Sequence, residues 1–258
     1  ALAVNFNTIN FRVDQNGTIS SAEMQTPTLD IMKEVGRGFK SGKHRINISR
    51  PRKNITRYTG ELFRAIQQVN GISGKGEVLE KAVPSGLTPL YVHYTSKSLD
   101  EVVRDMLFYS SNYTANQIYL TLGAAAYGYP ATWEKANRFM REYVDRNFPG
   151  ASQEITFDEG SGISRNNLIT AGAMLDILEK MRPYADLLPL EKERRIKSGS
   201  LNGVYSYAGY FLNKGALDSF VIILNQKSNN RDRILDLMEK WYKSIPDVKP
   251  VEKGQPQE

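Results

Sequence analysis

The C-terminal third of the sequence limits the fold more than any other part. Ile196–Leu201, Tyr205–Leu212 and Ser219–Asn225 are short runs of strand character, and Asn213-Lys214-Gly215 reads as a hairpin turn between the last two. An antiparallel sheet built this way has apolar surface to cover, and helices lie on both sides of it in the sequence. Ser98 with Glu101 forms a capping box that starts a helix through Val102, Met106 and Leu107 and stops it near Ser110-Ser111-Asn112. A second helix is predicted from about Thr114 to near Gly123. A third runs from Thr132 to Phe148, with Trp133, Ala136, Met140, Tyr143 and Val144 on its buried stripe. Thr170 caps a fourth, carrying Met174, Ile177 and Met181 on one side. Arg231–Ser244 closes the series as an amphipathic helix using Ile234, Leu237, Met238 and Trp241. The order predicts an α+β fold, an antiparallel sheet with helices packed on its faces.

The N-terminal part reads differently. Leu2–Val13 alternates apolar and polar residues as a half-buried strand does, and Asn16–Gly17 is a strong hairpin signal. Thr28–Phe39 reads as a short helix through Leu29, Met32 and Val35, ended near Gly36 or Gly38. Arg45–Pro51 reads as a strand, Tyr58–Val69 as a helix with Leu62, Phe63, Ile66 and Val69, and Leu90–Ser96 as a further strand. The expected organisation is a β-rich region over 1–54, a helix-and-sheet domain over 55–246, and a solvated tail over 247–258. No internal repeat is evident. Ala1 is followed at once by strand pattern with no visible signal peptide, so the sequence is expected to begin inside folded structure or to have been processed.

Composition removes several function classes. There is no cysteine, which excludes disulfides, thiolate zinc sites and a cysteine nucleophile. The two histidines, His44 and His93, form no metal-binding pair, and no cofactor is expected. No apolar run reaches the roughly 18 residues of a membrane-spanning helix. The formal net charge is +6, but the densest basic stretch, Lys40–Lys53, has no interleaved Phe or Tyr and reads as a solvated face rather than a nucleic-acid site. The glycine-rich Asn70–Gly76 stretch follows a helix, and Lys75 precedes Gly rather than Ser or Thr, which argues against a phosphate loop.

Three stretches carry candidate chemistry. Tyr109–Gln117 (YSSNYTANQ) places Ser110 and Asn112 between two helices. Asp158–Asn167 (DEGSGISRNN) contains Gly160, Ser161, Gly162 and Arg165. Arg195–Phe211 (RIKSGSLNGVYSYAGYF) opens with Lys197-Ser198-Gly199-Ser200. Taken alone, each has a structural explanation: a helix cap, a flexible loop and a solvated lysine. Together, in this order, they match the Ser-x-Asn and Lys-Thr-Gly elements of penicillin-binding proteins and serine β-lactamases. The chain resembles the low-molecular-mass class C penicillin-binding proteins, the D-alanyl-D-alanine carboxypeptidase/endopeptidase family. The resemblance lies in Asn112-Tyr113-Thr114-Ala115-Asn116, in Gly160–Arg165, and in Lys197–Tyr210, and it covers roughly residues 55 to 225. Glu159 stands where that family usually has Asp, and Ser198 where it usually has Thr.

The resemblance implies a β-lactamase/transpeptidase-like sheet flanked by helices, with 1–54 as part of a small β-rich accessory domain. It implies a peptidoglycan peptide ending in D-Ala-D-Ala as substrate, β-lactams as inhibitors, and a bacterial periplasmic or cell-envelope location. Lys197 and Ser198 would hold the terminal carboxylate, and Gly199 would let the substrate backbone approach the strand edge. The Ser200 N–H would be one arm of an oxyanion hole, Ser110 would relay a proton and Asn112 would hold the substrate amide. The Gly160–Gly162 loop and Arg165 would support them. The family's nucleophile belongs to a Ser-x-x-Lys motif, and no Ser here has Lys three residues on. The expectation is a C-terminal portion whose nucleophile lies on an N-terminal portion of the same protein. The alternative is a non-catalytic peptidoglycan-binding relative or scaffold.

Overall fold

The alternation at the N-terminus becomes a three-stranded antiparallel sheet in the computed structural model, which describes residues 3–51, 53–74, 76–82, 84, 86–213 and 216–245. β1 (Thr8–Val13) lies between β2 (Ile19–Ser21) and β3 (Gly42–Asn47). Ile9, Phe11 and Val13 point to one face and are buried, while Arg12 between them is exposed, as the two-residue period of a strand requires. α1 (Asp30–Val35) adds Ile31 and Met32 to this core, and α2 (Lys53–Val69) adds Tyr58 and Leu62.

That packing corrects the boundary expected after residue 54. The chain divides into compact units at Ala1–His93 and Tyr94–Glu258. α2 belongs with the first because its buried face completes the β1 core. Polar contacts tie it there too: Glu61 accepts from the Ile31 N–H at 2.9 Å, and Arg57 bridges Glu34 and Glu61 at 2.6 and 2.7 Å. The strand expected at Leu90–Ser96 does not form. Leu90, Tyr91 and Tyr94 are 106%, 80% and 83% exposed, and among the described residues no strand pairs with this segment, so its alternation has no core to face. The tail over 247–258 and the Lys214–Gly215 turn lie outside the described residues.

In the second unit, α3 (Leu99–Tyr109) starts at the expected capping box: Glu101 N–H donates to Ser98 Oγ at 3.3 Å, and Ser98 N–H donates to Glu101 at 2.7 Å. α4 (Asn112–Tyr127) and α5 (Trp133–Asn147) pack closely, since a Cβ on Gly123 would lie 2.5 Å from the Ala136 nitrogen. A two-stranded ladder, β4 (Ile155–Thr156) with β5 (Leu168–Ile169), closes the loop between them and leads to α6 (Ala171–Met181).

The main sheet is antiparallel, in the order β6 (Leu190–Glu191), β7 (Arg194–Leu201), β8 (Val204–Asn213), β9 (Ala216–Asn225). One face carries Ile196, Phe211, Phe220 and Ile222 against Leu235 and Met238 of α7 (Arg231–Ser244). The other carries Tyr210, Ala208 and Val221 against Leu175, Leu178 and Met181 of α6 and Leu107 of α3. Burying each such large side chain is worth about 1.5–3 kcal/mol relative to exposure. The buried Tyr210 hydroxyl keeps a partner, donating to the Leu178 carbonyl at 2.5 Å. Helices on both faces of one antiparallel sheet give the α+β architecture expected from element order.

Candidate active site

The site begins at the junction of α3 and α4, where only Ser110 and Ser111 separate two helices. Ser111 caps α4, its Oγ accepting from the Thr114 N–H at 3.2 Å. Ser110 takes the left-handed conformation, φ 51° and ψ 49°, while its N–H still bonds to the Met106 carbonyl. A non-glycine residue there costs about 1–2 kcal/mol. The conformation turns the chain sharply and leaves Ser110 and Asn112 exposed at the surface.

Lys197 reaches this junction from the sheet. It follows Ile196 along β7, so alternation places it on the α3/α6 face. Its ammonium donates a short hydrogen bond to Ser110 Oγ across 87 residues of sequence, and a second to the Ser198 carbonyl at 3.1 Å. Burial lowers the pKa of Lys197 below the ordinary lysine value, and the positive charge of Arg231 lowers it further, while Glu191 opposes the shift.

β7 is paired on both sides only at its start. β6 covers Arg194 and Arg195, and the Ile196 N–H donates to the Pro189 carbonyl at 2.9 Å. From Lys197 to Leu201 no strand among the described residues pairs with the outer edge. Antiparallel alternation directs the N–H groups of Ser198 and Ser200 to the same side as that of Ile196, toward the open edge. Ser198 and Ser200 are both exposed. A Cβ on Gly199 would lie 2.5 Å from Ser206 Oγ, on the face that carries Lys197.

The glycine-serine loop joins these elements. Gly160 N–H donates to Asn116 Oδ1 of α4 at 2.8 Å, and a Cβ on Gly160 would come within 2.6 Å of the Tyr119 Cβ. Gly162 adopts φ +80°, which favours glycine. Arg165 donates to the Asn202 carbonyl in the β7–β8 turn at 2.5 Å. The α3–α4 junction, the loop and β7 are thus held together through Lys197–Ser110, Gly160–Asn116 and Arg165–Asn202.

Glu159 organises the loop. Its carboxylate accepts from Ser161 N–H and Oγ at 2.8 and 2.5 Å, from Ser164 N–H at 3.2 Å and from Asn167 Nδ2 at 2.7 Å. Burial alone would raise its pKa, but hydrogen bonds from Ser161, Ser164 and Asn116 outweigh it and bring the group down to about 2. Behind the loop, a cleft of about 530 Å³ is lined by Trp133, Asn137, Asp158 and Ile163 together with Glu159. None of Ser110, Asn112 and Lys197 lines it. Burial and the nearby Asp158 and Glu159 charges push the Tyr119 hydroxyl up to about 12.

The model of the D-Ala-D-Ala carboxypeptidase 3 (S13) family matches residues 37–190. The chain belongs to this carboxypeptidase family. Relatives include the D-alanyl-D-alanine carboxypeptidase DacB of Haemophilus influenzae, 26% identical over 198 residues, which are 67% of this chain and 41% of that protein. A D-alanyl-D-alanine carboxypeptidase of an Actinomadura species is 25% identical over 198 residues, 66% of this chain and 36% of that protein. The chain thus spans about two fifths of the length of these curated relatives. The fold matches penicillin-binding protein 4 of H. influenzae in complex with a β-lactam, with a TM-score of 0.68, 20% identity and coverage of 94% of this chain and 70% of that one. A second structure of that protein gives a TM-score of 0.66 at 18% identity, covering 94% and 66% of the two chains. Lys197 to Leu201 lies beyond the family-matched segment, and its assignment to the site rests on its bond to Ser110.

Two contributors escaped the sequence reading. Arg231 donates to the Gly199 carbonyl at 2.6 Å and to Ser200 Oγ at 2.8 Å. An Arg at the start of an amphipathic helix gives no sequence signal of such a contact. Asn167 bridges the loop by donating to Glu159 and accepting from Asp158 N–H at 2.6 Å. The adjacent pair Asn166-Asn167 after a Ser-Gly loop was the available signal.

Proposed function

We propose that this chain supplies the second and third motifs of a serine-type D-Ala-D-Ala carboxypeptidase/endopeptidase acting on peptidoglycan stem peptides in the bacterial periplasm or cell envelope. The observation that carries the proposal is the Lys197–Ser110 hydrogen bond, which joins the Lys-Ser-Gly strand to the Ser-x-Asn junction. The nucleophilic Ser and its activating Lys lie on residues outside this sequence, because no Ser-x-x-Lys occurs within it. Phe108 and Tyr109 are 65% and 73% exposed beside Ser110, and the segment carrying the nucleophile would cover them.

The substrate lies along the open edge of β7 as an added strand. Its terminal carboxylate pairs with Lys197 and the Ser198 hydroxyl, and Asn112 holds the penultimate amide. Attack by the seryl oxygen on the penultimate D-Ala carbonyl forms the acyl ester as the C–N bond breaks. The developing oxyanion is met by the Ser200 N–H, a donor of a kind whose loss costs about 2.7–4 kcal/mol of barrier. The leaving amine takes its proton through Ser110 and Lys197, whose lowered proton affinity eases the transfer. Water then cleaves the ester. β-Lactams enter by the same attack and stop at the acyl stage.

Intact mass spectrometry after incubation with benzylpenicillin tests this reading. The whole protein should gain the mass of one penicillin, and the chain of 258 residues alone should gain none. An adduct on the chain alone, or none on the whole protein, defeats the assignment.

A further inference from the structure

Arg231 is the first residue of a 14-residue helix, α7, where a cation faces the positive end of the helix dipole. Its side chain is nevertheless drawn inward. It is 14% exposed, stacks 4.5 Å over the Tyr207 ring, and leaves its Nε buried without a hydrogen-bond partner among the described residues, 3.9 Å from Asp232. What it gains lies on β7 and β8: Nη1 donates to the Gly199 carbonyl at 2.6 Å, to Ser200 Oγ at 2.8 Å and to the Ser206 carbonyl at 3.4 Å.

The Gly199 carbonyl and the Ser200 N–H belong to one peptide unit and point in opposite directions. A cation held on the carbonyl oxygen fixes the plane of that unit and polarises it, so that the N–H on the far side becomes a stronger donor. We propose that Arg231 is a positioning residue for the Gly199–Ser200 peptide, holding it so that the Ser200 N–H is aimed off the open edge of β7 and strengthened as a hydrogen-bond donor. The importance of this for rate rests on the peptidase reading above; the coupling itself does not. Charged groups around the edge include Lys197 and Arg195 on β7, Glu191 on β6, Arg165 on the Asn202 carbonyl of the β7–β8 turn and Asp232 beside Arg231 on α7. The Arg231 charge also acts at Lys197, adding to the effect of burial there.

The test compares the whole protein with its Arg231→Gln and Arg231→Lys variants. Two quantities are read: the amide resonance of Ser200 in protein labelled with ¹⁵N-serine, and the rate constant for acylation by benzylpenicillin, separated from its non-covalent dissociation constant. Thermal melting identifies any variant that fails to fold. In Arg231→Gln the Ser200 amide proton should move upfield, and acylation should slow about tenfold or more at an unchanged dissociation constant, a partial loss of one oxyanion donor. Arg231→Lys should recover most of both. An unmoved Ser200 amide overturns the proposal. So does a weaker dissociation constant at an unchanged acylation rate, which would make Arg231 a simple binding group. A moved amide in a protein whose wild type is never acylated would support the coupling and refute the peptidase reading instead.

Discussion

Replacing Glu159 with Gln tests whether the glycine-serine loop is held by one carboxylate. Four donors converge on it: Ser161 N–H and Oγ on one oxygen, Ser164 N–H and Asn167 Nδ2 on the other. A glutamine keeps one acceptor oxygen for the Ser164 and Asn167 donors and turns an NH₂ group toward Ser161, whose hydroxyl can reverse and accept but whose N–H then faces a donor, so one charge-assisted bond is lost outright and the others lose their charge. Each such bond is worth about 1.5–3 kcal/mol. The displacement of the pKa from 4.5 to about 2 expresses largely the same bonds as a free energy. At full strength it corresponds to about 3 kcal/mol, which solvent screening at this partly exposed group reduces to about 1–2 kcal/mol. A loss of about 2 kcal/mol near neutral pH follows, a shift of roughly 4–8 °C in melting temperature for a unit this size. The pH dependence has a definite sign. Above pH 4.5 the carboxylate is ionised in both states and its contribution is complete. As pH falls from 4.5 toward 2 the unfolded chain takes up the proton first, and the contribution drains away. Urea unfolding of wild type and Glu159→Gln at pH 7, 5 and 3 should therefore show a gap that is constant at the first two and smaller at the third. A variant as stable as wild type at pH 7, or a gap that widens on acidification, refutes the argument.

Two glycines give further checks. Gly160→Ala would place its Cβ 2.6 Å from the Tyr119 Cβ and 2.9 Å from the Ala115 carbonyl, and it should push the loop off α4 at a cost of about 1–3 kcal/mol, measured by urea unfolding. Gly209→Ala would drive a Cβ into the Arg195 carbonyl oxygen and place it 2.9 Å from the Ile196 Cα, backbone atoms that cannot step aside. It should cost at least as much and should also displace Lys197, so that penicillin acylation of the whole protein falls even where the variant still folds.

Much of the second unit was legible because its signals are local. The Ser98–Glu101 box, the Thr132 and Thr170 caps and the runs of the sheet each act within a few residues, and each formed close to where it was read. The errors lie where the deciding partner is distant. The alternation of Leu90–Ser96 has the period of a strand, but a strand exists only beside another. α2 was assigned to the wrong unit because its apolar stripe says that a face is buried and not which core buries it; Ile9, Phe11 and Met32 decide that.

The same distinction runs through the site. Sequence order identified Ser110, Asn112 and Lys197 as a set only because a family uses that order; nothing local to Lys197 says that its ammonium meets a serine 87 residues away. The fold makes that meeting almost unavoidable once three local facts hold. The left-handed Ser110 ends α3 at the surface, Leu107 one turn earlier packs on the sheet face that carries Lys197, and β7 loses its outer partner just as Lys197 begins. Arg231 marks the limit of this kind of reading. Its significance lies in which carbonyl it touches, and a residue type at a helix start carries no trace of that.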